Sequence, residues 1–142
     1  MQTVFEPYFS ALLGVGFLLL LVLVQWVIAS RFKASQAGAI PGKPPQNLSH
    51  QDFTFRAWRT HQNTLENLGT MLGASFFAIV VDAGTGLVAA LVWTMVVARV
   101  IHMILYYVIA TDKNPSPRSY FFIIGWLANL GLVIVGIYTL LS

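Results

Sequence analysis

Long apolar segments separated by short polar ones dominate the pattern of this chain. Between Glu6 and Arg31 lie 24 residues without a charge, including the apolar run at 17–24. A helix needs roughly 20 residues to cross the hydrocarbon core of a bilayer, so the pattern predicts a spanning helix over about 7–30. No Lys or Arg precedes this segment, and its apolar run is longer than that of a usual signal peptide. We therefore expect the helix to be retained.

Three further apolar segments predict three further helices, over about residues 53–81, 87–110 and 119–141. The first of these carries charges in its first half, so it is long enough to span only if that half is also helical and within the membrane. Polar segments with strong turn chemistry join the helices: a loop rich in Pro at about 31–53, a tight turn at 82–86 and a loop at 111–117. The pattern predicts one all-α domain over residues 1–142, an integral membrane four-helix bundle.

The composition agrees with a membrane protein and excludes other classes. Of the 142 residues, 57% are apolar and 9% are charged, against roughly 25% charged in an ordinary soluble domain. A soluble enzyme and a disordered chain are therefore excluded. The net charge of +3 comes from eight dispersed basic residues, which form no patch that would indicate a nucleic-acid partner.

The chain has no cysteine, so a thiol that takes part in its chemistry must belong to a ligand. We expect His50 in a loop and His61 on a helix surface. Together with His102 they form no cluster with the spacing of metal ligands, so the sequence predicts no metal site.

Lys and Arg residues are distributed unevenly between the two ends of the predicted bundle. The second loop and both chain ends carry none, whereas the first and third loops together carry Arg31, Lys33, Lys43, Lys113 and Arg118. The positive-inside rule places these basic loops in the cytoplasm and both termini on the opposite side of the membrane.

Polar residues within the second and third helices recur at helical spacing. On the second helix, spacings of three and four residues place five polar residues and one glycine in one stripe: Arg56, Arg59, Asn63, Glu66, Thr70 and Gly73. The third helix carries a shorter stripe of the same kind, formed by Arg99, His102 and Tyr106. Because charge facing lipid is costly, both stripes should face the bundle interior or a water-filled cavity.

Depth along the helices predicts which of these residues meet. At 1.5 Å per residue from the basic loops, Glu66 lies about 18 Å deep and Arg99 about 16 Å deep. We expect these opposite charges to pair, because an unpaired charge at this depth is costly. By the same counting, Asn63 and His102 lie at one depth, and Arg59 and Tyr106 lie at another depth nearer the surface.

Cationic side chains outnumber acidic ones in these stripes. Glu66 is the one acidic residue against Arg56, Arg59 and Arg99, and further cations stand at the rim. Excess positive charge around a cavity predicts an anionic ligand. The alternative is a non-catalytic membrane protein whose intramembrane charges only assemble helices or subunits.

The same residues form motifs that resemble those of the MAPEG family, the membrane-associated proteins of eicosanoid and glutathione metabolism. The stretch from Arg56 to Glu66 resembles the family motif R-x-x-R-x-x-x-N-x-x-E. The stretch from Arg99 to Tyr106 resembles R-V-x-H-x-x-x-Y, and residues 117–119 are similar to the P-x-R-S that begins the last helix in the prostaglandin synthase branch. The resemblance covers nearly the whole chain.

The resemblance implies a homotrimer that binds glutathione between neighbouring subunits, in a site open to the cytoplasm. It implies that Arg118 stabilises the glutathione thiolate, which attacks a lipophilic electrophile arriving from the bilayer. The residues that it implies for glutathione binding are Arg31, Arg59, Asn63, Glu66, Arg99, His102 and Tyr106. Thr70 and Gln62 replace a proline and an arginine of relatives, which favours a glutathione transferase, with or without peroxidase activity, over an isomerase.

Overall fold

The computed structural model describes residues 5–142, and in this range the chain is helical and contains no strand. A short 3₁₀ turn is followed by helices α1 (Phe9–Ala34), α2 (Phe53–Val80), α3 (Thr85–Val108) and α4 (Pro117–Leu141). The prediction of an all-helical chain with four helices is confirmed. Residues 1–4 of the predicted domain lie outside the described range.

The first loop is shorter than the sequence suggested, because α1 continues to Ala34. Arg31 and Lys33 therefore lie in the last helical turn, where cations interact favourably with the helix dipole. The loop ends at Asp52, whose carboxylate accepts a hydrogen bond from the backbone N–H of Thr54 at 2.8 Å. This bond satisfies one of the free donors at the start of α2 and defines where that helix begins.

The second long loop joins α3 to α4, and its ends also differ slightly from the expected positions. α3 ends at Val108, and α4 begins at Pro117, two residues earlier than its apolar pattern indicates. The side chains of Ser116 and Ser119 form a reciprocal capping box at this start. Proline is favourable in the first turn of a helix because its missing N–H would have no partner there.

Within residues 5–142, three helices are long and apolar enough to cross a membrane: α1 with the preceding turn, α3 and α4. The composition of α2 does not identify it as a membrane-spanning helix, because charged residues interrupt its first half. It is nevertheless one continuous helix of 28 residues, about 42 Å long at 1.5 Å per residue, and it packs against the three others. These features are consistent with an integral membrane protein.

The bundle has an apolar core in which several side chains are fully buried, among them Leu18, Val92, Met95 and Leu132. α1 approaches α3 closely at Gly14, where an added Cβ would lie 2.7 Å from Cγ1 of Val92. A larger side chain would not fit at this position, because protein interiors are closely packed. We call the end of the bundle that carries the loops at 35–52 and 109–116 the basic end.

Candidate functional site

An open cleft of about 230 Å³ lies between α2, α3 and α4 near the basic end. Its walls are formed by Asn63, His102, Tyr106, Arg118, Ser119, Phe122 and Ile123. Four of these residues were singled out from the sequence, and they come from three different helices. Folding therefore brings Asn63, His102, Tyr106 and Arg118 together at one concave surface.

Arg118 is held in the cleft without a carboxylate partner among the residues that the structure describes. Its guanidinium carbon lies 4.1 Å from the centre of the Tyr106 ring, within the range of a cation–π contact. Its Nη2 donates to the carbonyl oxygen of Thr111 at 3.2 Å. Arg118 is only 9% exposed. Its Nη1 is buried and has no hydrogen-bond partner within residues 5–142. Arg118 thus has an unpartnered donor and no neighbouring carboxylate among the described residues, an arrangement that suits an anionic ligand.

The predicted pairing of Glu66 with Arg99 is wrong. Nη2 of Arg99 donates to Oδ1 of Asn63 at 2.8 Å and to Oγ1 of Thr64 at 3.0 Å. Glu66 instead forms a two-point ion pair with Arg59 of its own helix, at 2.9 and 3.2 Å. Similar depth does not make two residues face each other: Asn63 and Thr64 turn toward α3, whereas the Glu66 side chain is 56% exposed.

The other two depth matches do not produce hydrogen bonds either. Asn63 and His102 line the same cleft, but no hydrogen bond joins them, and Nδ1 of His102 is buried with no partner in the described part of the chain. The Tyr106 hydroxyl forms its hydrogen bond with Nε2 of His50 at 3.0 Å, rather than with Arg59. Depth therefore placed Asn63 and His102 at one cleft, but it did not predict the hydrogen-bond partners of these side chains.

Two loop residues that the sequence did not assign to the site, His50 and Asp112, lie at its rim. His50 contacts the Tyr106 hydroxyl through Nε2, and its Nδ1 lies 2.8 Å from Oδ1 of Asp112. These partners are 56 and 62 residues away along the chain, so no local spacing could have indicated the contacts. A chain of polar contacts thus runs from Asp112 through His50 and Tyr106 to Arg118.

Arg56 is part of the scaffold and does not line the cleft. Its Nη1 donates to the carbonyl oxygens of His50 at 2.7 Å and Gln51 at 3.0 Å, and Nη2 donates to that of Tyr107 at 3.3 Å. It therefore ties the first loop to the end of α3. His61, expected on a helix surface, is instead buried.

Four of the predicted ligand residues do not line the cleft. Arg31 is exposed in the last turn of α1, and the Arg59–Glu66 pair occupies an outward face of α2. Arg99 lies behind Asn63, almost completely buried, and borders a second small cavity deeper in the bundle. The single chain thus brings together Asn63, His102, Tyr106 and Arg118, with Arg99 beside them, and leaves Arg31, Arg59 and Glu66 apart.

The electrostatics of the cleft favour an anion. Arg118 lines it, Arg99 lies directly behind Asn63, and Nε of Arg99 also has no partner among the described residues. None of the described residues that line the cleft is acidic. Cationic groups in a concave site whose described lining holds no carboxylate attract anionic ligands.

Comparison with known families agrees with the motifs and the helical architecture. The model of the MAPEG family matches residues 9–138, from the first residue of α1 almost to the end of α4. Searches of curated proteins and of solved structures gave no significant match. Because the family match covers nearly the whole chain, including every residue that lines the cleft, the chain belongs to the MAPEG family.

Proposed function

We propose that this protein is a membrane glutathione transferase that attacks lipophilic electrophiles with the thiolate of bound glutathione. The observation that carries the proposal is the cationic cleft around Arg118, which has a free guanidinium donor and no acidic wall. Glutathione suits such a site because it has two carboxylates and a thiol that can become a third anion. Membership in a family that includes glutathione transferases and related enzymes supports the same activity.

Arg118 is the proposed catalytic residue. A cation beside a thiol stabilises the charged form and lowers the thiol pKa, and the thiolate is the reactive nucleophile. In the transferase reaction, a sulfur–carbon bond forms to the electrophile. The electron pair of the broken bond leaves with the departing group or, in an addition, takes up a proton.

The other residues of the cleft are the proposed binding residues. Oδ1 of Asn63 is occupied by Arg99, but its Nδ2 makes no hydrogen bond within residues 5–142 and is free to donate to a carboxylate. His102 and Tyr106 contribute the opposite wall. Arg99 acts from behind Asn63, where it fixes the amide orientation and adds positive charge.

Arg31, Arg59 and Glu66 require a different arrangement to contribute, and we propose that they act at subunit interfaces of a homotrimer. One outward face of α2 carries Glu66, Gly69, Thr70 and Gly73, all exposed in the single chain. Polar groups at membrane depth usually face protein or water, and small residues permit close helix contact. We expect a mass measurement of the detergent-solubilised protein to give three chains, and a single-chain mass would contradict this arrangement.

Glutathione should bind the purified protein in detergent with measurable heat. At a free concentration of ten times Kd, binding should stabilise the folded state by about 1.4 kcal/mol and raise Tm. S-Methylglutathione is the matched control, because it keeps both carboxylates and cannot form a thiolate. We expect it to bind within a few fold of glutathione and to form no product. A folded protein that gives neither heat nor a Tm shift at millimolar glutathione would remove the proposal.

The products separate transferase from peroxidase activity. A transferase converts an alkyl or aryl electrophile and one glutathione into a thioether. A peroxidase converts a lipid hydroperoxide and two glutathione molecules into an alcohol, water and glutathione disulfide.

The second candidate is a non-catalytic protein whose intramembrane charges assemble subunits. The exposed Arg59–Glu66 ion pair favours it, because such a pair on an outward helix face suits contact with a neighbouring chain. Trimers that neither bind glutathione nor form either product would favour this candidate.

A further inference from the structure

We propose that the basic end carries a second binding site, which takes the phosphate head group of an anionic phospholipid. Two adjacent cavities of about 310 and 200 Å³ lie between the end of α1 and the loop that follows it. Both are lined by Lys33, Ala39 and Ile40. Neither contains a residue of the cleft around Arg118, so this site is independent of the proposed transferase activity.

The charge of the smaller cavity suits a phosphate. Lys33 and Lys43 both line it, and among residues 5–142 no acidic side chain lines either cavity. Neither lysine has an ion-pair partner in the part of the chain that the structure describes. The acid at the end of the same loop, Asp52, already accepts hydrogen bonds from the Thr54 N–H and from Nε2 of Gln36. Two uncompensated ammonium groups at one cavity favour an anionic oxygen ligand.

The loop that forms the cavity walls has a defined shape. Gly38 and Gly42 adopt φ values of +71° and +81°, in the left-handed region that favours glycine. Nε2 of Gln46 donates to the carbonyl oxygens of Ala37 at 3.3 Å and Gly38 at 3.4 Å, which closes the loop on itself. A site whose walls are already ordered loses less entropy when it binds.

The position of the cavities favours a lipid over a free phosphate. Leu23, Trp26, Ser30 and Lys33 follow one another at spacings of three or four residues, so they share one face of α1. Leu23 is 62% exposed and Trp26 is 56% exposed, as expected of side chains that contact acyl chains. The same face leads into the larger cavity at Ser30 and Lys33. Acyl chains lying along this face would direct their head group into the cavities, beside lysines at the depth where head groups lie.

Native mass spectrometry of the detergent-solubilised protein tests the site directly. Titration with phosphatidylglycerol should give bound lipid, whereas phosphatidylcholine with the same acyl chains should bind more weakly. A hydrogen bond from one lysine ammonium to the bound phosphate contributes about 1 kcal/mol net, or about fivefold in affinity. We therefore expect Lys43→Gln to weaken phosphatidylglycerol binding about fivefold, and Lys33→Gln with Lys43→Gln to weaken it about 25-fold.

Lys113→Gln is the matched control, because it removes one charge from the other loop of the basic end. It should leave phosphatidylglycerol binding within twofold. Equal losses in Lys43→Gln and Lys113→Gln would show that general surface charge, and not this site, attracts the lipid. Unchanged binding in Lys43→Gln would also overturn the proposal. Inorganic phosphate that competes with the lipid at equal concentration would identify a free anion as the ligand and overturn the lipid assignment.

Discussion

Replacement of Arg118 by alanine is expected to lower turnover at pH 7 by about 25-fold, while glutathione affinity changes only a few fold. A free thiol with a pKa near 8.5 is about 3% ionised at pH 7, and a pKa about two units lower makes roughly 75% of it reactive. Arg118 is the cation that lines the cleft, and its Nη1 donor has no partner in residues 5–142. Its loss removes the charge that favours the thiolate but leaves the other binding residues in place.

The measurements are the pH–rate profile and, for the glutathione complex, the absorbance of the thiolate at about 240 nm. In Arg118→Ala the profile should move to higher pH and most of the absorbance should be lost. Arg118→Lys is the matched variant, because it keeps the positive charge and should restore part of the thiolate signal. The control Lys113→Ala removes a nearby loop cation outside the cleft and should leave both readouts unchanged. An Arg118→Ala protein with normal turnover and a normal pH profile would instead make Arg118 an anchor at the membrane surface.

Removal of Arg99 and Asn63 together should cost less stability than the sum of the two single changes, by about 1.5–3 kcal/mol. Nη2 of Arg99 donates to Oδ1 of Asn63 at 2.8 Å, and Arg99 is only 3% exposed. Asn63→Leu alone therefore leaves a buried charged donor without one of its acceptors. Once Arg99 is also replaced by methionine, that penalty disappears.

Denaturant unfolding in detergent of the wild type, both single variants and the double variant gives the coupling energy. A second cycle with Arg99→Met and Glu66→Gln is the control, because no hydrogen bond or ion pair joins these two residues in the described structure. Its coupling should be less than half that of the first cycle. Stronger coupling of Arg99 to Glu66 than to Asn63 would contradict the geometry described above.

The sequence by itself determined the presence of the helices and four of the residues that line the cleft. Uncharged segments of about 24 residues have few stable arrangements in a bilayer other than a helix. The spacings of three and four residues placed Asn63 on one face of the second helix, and His102 and Tyr106 on one face of the third. Since polar side chains avoid lipid, both stripes were expected to turn inward. Asn63, His102 and Tyr106 do line one cleft with Arg118, whereas Arg59 and Glu66 of the α2 stripe face outward in the single chain.

The partner of each side chain was decided only by the tertiary structure. Helical periodicity gives the depth and face of a residue, but not the rotation of its helix relative to a neighbour or the reach of its side chain. Glu66 therefore forms an ion pair with Arg59 of its own helix, and Arg99 donates a hydrogen bond to Asn63. His50 reached the cleft through a loop whose path depends on how the helices pack, because its contacts join residues more than fifty positions apart. The cavities beside Lys33 depend on the same loop. No periodic pattern in the sequence predicts how that loop packs against α1.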